Sequence, residues 1–150
     1  MLNLFDSQSL AIGLALIAAA IDIVGVLINL VVLPEIAIEL VNISSTQAPA
    51  LQTVFASMES LSNALTNVAA FGLYSVAGLL LLPGAFATED YPRWLTWPGV
   101  SEWGIATLAS ILLVLMPEFA TIPLLVSFVL FAPRVWGSAF WLFRRANNTN

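Results

Sequence analysis

Arg134 sits in FVLFAPRVWGSAFWLF, residues 128–143, where no other charge occurs. A guanidinium stays protonated, so in apolar surroundings it must be paired, hydrated or reached by a thinned bilayer. Asp22 poses the matching problem in LAIGLALIAAAIDIVGVLINLVVL, residues 10–33. On a helix rising 1.5 Å per residue it lies about 18 Å from either end, too deep to snorkel easily. A carboxylate and a guanidinium at similar depth can neutralise one another, so the sequence predicts a buried Asp22–Arg134 pair. Pro133 removes one backbone donor and frees the Val129 carbonyl as a further acceptor. Such a pair would either fix helix register or form the charged element of a ligand or ion site.

Polar residues elsewhere fall into stripes. Ala11, Ala15, Ala18, Asp22, Gly25 and Asn29 recur at three- and four-residue steps, so small and polar side chains share one helix face. Such faces let membrane helices approach closely. A second stripe holds Ser60, Asn63, Asn67, Tyr74 and Gly78. A third holds Thr107 and Ser110, and a fourth Ser127, Arg134, Ser138 and Arg145. The expected polar interior is therefore Asn29, Asn63, Asn67, Tyr74, Thr107, Ser110, Ser127 and Ser138. Two readings stand beside each other: hydrogen bonding between helices, or a small cavity opening to the outer side, where the asparagines concentrate.

The remaining chemistry is narrow. The chain has no histidine and no cysteine, which removes haem, zinc and disulfide chemistry that depends on them. All four basic residues are arginines, so neither a Schiff base nor a P-loop lysine is available. No nucleophile–base constellation is recognisable, and no metal site is expected. A cofactor, if any, would need ligands other than histidine or cysteine. The net charge of −5, with no basic cluster beyond Arg144–Arg145, argues against nucleic acid.

These residues must be positioned by membrane-spanning helices. The chain is 60% hydrophobic and 9% charged, against about a quarter charged in soluble domains. Four spans are expected over residues 10–33, 62–82, 98–116 and 119–143, each long enough for a hydrocarbon core of about 30 Å. Asp6 or Ser7 would cap the first, and Pro34 would end it. From Pro49 the apolar positions Leu51, Val54, Phe55, Met58, Leu61, Leu65 and Val68 predict one long helix over 49–82, its first turns outside or on the membrane. Residues 83–99, PGAFATEDYPRWLTWPG, read as an interfacial loop, and Pro117–Glu118 as a break. The competing reading merges 105–132 into one span and leaves 133–145 as an interfacial helix. The N-terminus lacks the features of a cleaved signal peptide, so the first segment is expected to be retained.

With four spans, Arg93, Arg144 and Arg145 fall on one side, and Glu35, Glu39, Glu59 and Glu118 on the other. The positive-inside rule then places both termini in the cytoplasm. Tyr91, Arg93, Trp94, Trp97, Trp141, Arg144 and Arg145 are the expected interfacial anchors. Asn42-Ile43-Ser44 matches a glycosylation sequon and is read as a chance occurrence.

At YPRWLTWPG and WGSAFWLFRR the chain resembles a broad group of uncharacterised bacterial polytopic membrane proteins, over about residues 49–145. That resemblance implies a helical membrane domain of unknown function and no catalytic residues. Members of the group are often longer, and Arg134 departs from their pattern.

The expectation is thus an all-α integral membrane four-helix bundle in a bacterial inner membrane. As a function, we expect a small non-catalytic accessory subunit or stabilising protein, assembled with other membrane subunits or with itself. The alternative is a small transport or ligand-binding unit built on a polar cavity and the Asp22/Arg134 pair.

Overall fold

The computed structural model describes residues 4–44 and 47–148. Its helices are α1 (Leu4–Leu27), α2 (Leu33–Asn42), α3 (Ala48–Asn63), α4 (Phe71–Ala87), α5 (Arg93–Leu115) and α6 (Thr121–Asn148). Among the described residues there is no strand. Two π-helical segments, Ile28–Val32 and Ala64–Ala70, join α1 to α2 and α3 to α4 without a break. The chain therefore forms four rods, Asp6–Asn42, Ala48–Ala87, Arg93–Leu115 and Thr121–Asn147, each long and apolar enough to cross a membrane.

Pro34 does not end the first rod. The Leu33 N–H donates to the Ile28 carbonyl, five residues back, and Pro34 then falls in the first turn of α2. The widened π turn absorbs the hydrogen bond that proline cannot make. The helix also begins at Leu4, so Asp6 lies within the first turn and not at its cap.

Pro83 and Pro98 likewise lie inside α4 and α5, so the expected 83–99 loop shrinks to residues 88–92. A proline forfeits one backbone bond, whereas a loop in hydrocarbon would leave many groups unsatisfied. Pro117 does break the chain. Met116 leaves helical geometry, Pro117–Phe119 makes a single tight turn, and α6 returns antiparallel to α5. The span merging 105–132 does not form.

Small residues set the packing. Ala11, Ala18 and Gly25 on α1, and Ala70, Ser75 and Ala77 on the second rod, are buried. A Cβ on Gly25 would strike the Thr66 hydroxyl, and one on Gly78 would strike the Trp103 ring. The third rod meets the fourth through Leu95, Gly99 and Glu102, with Leu95 against Gly137.

The helix backbones pack in chain order, α1 on α4, α4 on α5 and α5 on α6. Neither α1 and α6 nor α4 and α6 come into close backbone contact. The four expected helices are present and arranged as an open row, so the first and fourth, expected as neighbours, do not meet. The α2–α3 hairpin approaches neither α5 nor α6. It stands beyond the level of the Pro117 turn, as a two-helix arm roughly 25 Å long at 1.5 Å per residue.

Candidate functional site

Arg134 Nη1 donates to Glu102 Oε2 at 2.9 Å, joining α6 to α5. The Glu102 side chain is 2% exposed and that of Arg134 18%. The guanidinium also lies 5.4 Å from the Trp103 ring centre, a cation–π contact that spreads its charge over an aromatic face. The expected partner, Asp22, is elsewhere. Gln8 packs against Gly84 and Gly25 against Ser62 and Thr66, which brings Asp22 level with about residue 68 of the second rod. Gly78 packs on Trp103, so Glu102 and Arg134 stand near residue 79. The offset is about eleven residues, roughly 16 Å. Asp22 thus lies toward the level of the Pro117 turn, and α1 never reaches α6.

Glu102 was the residue that sequence reasoning missed. It occupies the second turn past Pro98 and reads as the polar start of a span. Glu118 at the hairpin turn lies sixteen residues from both Glu102 and Arg134, so folding 98–143 back on itself brings the two to one level.

The expected polar interior separates into two sets. Asn29, Asn63 and Asn67 are exposed, with the Asn67 amide donating weakly to Asn63 Oδ1 at 3.5 Å on the same helix. The cavities described between the rods are lined by other residues. Ser110 and Ser127 are buried and Thr107, Tyr74 and Ser138 half-buried. Most of these hydroxyls turn back on their own helix: Thr107 to the Trp103 carbonyl, Ser110 to Ala106 and Ser127 to Leu124. Cross-helix bonds are made instead by Ser62, donating to the Gly25 carbonyl at 2.7 Å, and by the Tyr91 and Ser138 hydroxyls at 2.9 Å.

A cavity of about 220 Å³ adjoins the ion pair, lined by Phe71, Tyr74, Glu102, Trp103, Ala106, Ser127, Phe128 and Phe131. It occupies the gap where α4 and α6 face one another without backbone contact. Four buried polar atoms have no hydrogen-bond partner among the described residues: Glu102 Oε1, Arg134 Nε, Trp103 Nε1 and Thr66 Oγ1. Two of them, Glu102 Oε1 and Trp103 Nε1, belong to residues that line this cavity.

At the end of the row that holds the 88–92 turn, aromatic and basic groups interlock. Tyr91 stacks edge-on against Trp141, Phe86 against Trp97, and Arg145 covers Trp141 while pairing with Asp90 at 3.3 Å. Arg93 donates to the Phe86 carbonyl, Arg144 covers Phe140, and Trp94 and Trp97 are exposed. All seven expected anchors thus collect at one end of the molecule. No group of three or more acidic side chains suited to a metal ion occurs among the described residues.

Compared with protein-family models, with curated proteins and with solved structures, the chain matches none.

Proposed function

We infer that the chain is a non-catalytic helical subunit of a larger membrane assembly, laid into the bilayer with both termini in the cytoplasm. The open row carries this reading. α6 packs its backbone on α5 alone, and Ile122, Leu125 and Val129 stand exposed along its far side. The α2–α3 arm adds a second unshared surface beyond the membrane level, with Ile38 and Val41 exposed. An apolar helix in lipid loses nothing by standing alone, but such an arm in water would gain from a partner. The partner is another membrane subunit or a second copy. A bacterial inner membrane and kinship with the uncharacterised polytopic group belong to the same proposal.

Orientation follows from Arg93, Arg144 and Arg145 at one end against Glu35, Glu39 and Glu59 at the other. To test assembly, photoreactive residues are placed at Val129 on α6 and Val41 on the arm, in the native membrane. Protein adducts of fixed mass at either position support the subunit role. Adducts to lipid alone, with a monomer in mild detergent, refute it.

A further inference from the structure

The cavity beside the ion pair has a distinctive lining. Five aromatic rings, Phe71, Tyr74, Trp103, Phe128 and Phe131, supply its walls, Glu102 is its charged group, and Ser127 already donates to the Leu124 carbonyl. Arg134 satisfies Glu102 Oε2 and leaves Oε1 buried without a donor. A buried carboxylate oxygen without a partner is costly, so whatever occupies the cavity gains by presenting an O–H or N–H there. Arg134 already neutralises Glu102 and lies over Trp103, which disfavours a second cation on that ring. At about 220 Å³ the space exceeds the roughly 150 Å³ in which benzene is known to bind. Phe128 and Phe131 are partly exposed, so the mouth lies on the outside of the row between α4 and α6, where acyl chains would run.

We propose that this cavity binds an uncharged, hydroxyl-bearing apolar molecule drawn from the bilayer, a phenol- or quinol-like ring whose O–H donates to Glu102 Oε1. The site goes beyond the assembly role and does not depend on it. It also differs from the asparagine-lined cavity expected from the sequence, because its walls are aromatic and it holds a carboxylate, Glu102.

The test uses the full chain in phosphatidylcholine nanodiscs, whose headgroups lack hydroxyls, with quenching of tryptophan fluorescence by brominated probes. Para-bromophenol should quench saturably, with an apparent affinity about tenfold tighter than para-bromoanisole, which has no donor. In Glu102→Gln the amide oxygen turns to Arg134 and its NH2 faces the cavity, so the preference for the donor probe should collapse. Ala106→Leu fills the cavity and should abolish the saturable component in a folded protein. Equal affinity for phenol and anisole overturns the proposal, as does saturable quenching that survives Ala106→Leu. Tighter binding of para-bromobenzylammonium than of the phenol would make this a cation site and would equally overturn it.

Discussion

Ser62 donates its hydroxyl hydrogen to the carbonyl oxygen of Gly25, 2.7 Å away, where the first two rods pack together. Ser62 is fully buried, and its backbone carbonyl would lie 3.3 Å from a Cβ placed on Gly25. The contact combines a backbone approach that only glycine permits with a bond whose acceptor needs no side chain. In lipid, where hydrophobicity does not drive helices together, both features favour association.

Gly25→Leu should therefore separate α1 from the second rod and lower the thermal midpoint in detergent strongly. Ser62→Ala should cost far less, about 0.6 kcal/mol by the average for membrane hydrogen bonds. Thermal unfolding followed by circular dichroism orders the two. A Gly25→Leu protein as stable as wild type would mean that the seam closes elsewhere.

Membrane orientation has a direct readout because the chain contains no cysteine. Gln47 lies exposed at the tip of the α2–α3 arm, and Thr88 lies exposed in the turn beside Arg93. In intact cells a membrane-impermeant maleimide should label Gln47→Cys and spare Thr88→Cys until the membrane is opened. Labelling of Thr88→Cys alone would invert the topology.

The arm supplies a third prediction. Leu51, Phe55 and Met58 form the half-buried face of α3, which packs on α2. A carboxylate at the centre of that face would be buried without a partner, at a cost of several kcal/mol unless the arm opens. Phe55→Asp should expose 33–63 to limited proteolysis from outside while the four rods remain inserted. Protease resistance equal to wild type would show that the α2–α3 contact carries little energy.

How far the sequence disclosed this architecture depends on which physical signal a residue gives. Hydropathy and spacing revealed four rods, the unbroken second helix and the break at Pro117, because apolar length and a missing N–H are written in the residues themselves. The same missing N–H misled at Pro34, Pro83 and Pro98. A sequence shows that proline removes a bond, but not that a π turn or the membrane's penalty for open backbone keeps the helix intact. The alanine and glycine stripe on α1 was legible as a seam. The asparagines were not legible as exposed, since a stripe gives a face and not what covers it. Depth was the hardest quantity. Asp22 looked level with Arg134 because the sequence does not show how the rods are staggered, and symmetry about Glu118 would have shown that Glu102 shares a level with Arg134.

That symmetry makes the ion pair the sharpest place to measure energy. A lone charge at membrane depth costs about 2.5–3.5 kcal/mol on insertion scales. Glu102→Gln leaves the Arg134 guanidinium without a counter-charge and Arg134→Gln does the same to the carboxylate, so each single change should lower stability by roughly 2–3 kcal/mol. The double variant removes both charges together and should lose clearly less than the two losses added. Asp22→Asn, about 16 Å away along the rods, should change stability by no more than about 0.5 kcal/mol and should add simply to Arg134→Gln. Unfolding in mixed micelles, monitored through tryptophan emission, measures all five proteins on one scale. Additive losses for Glu102 and Arg134 would mean that their 2.9 Å contact contributes no coupling. Non-additive losses for Asp22 and Arg134 would restore the partner that the register of the rods excludes.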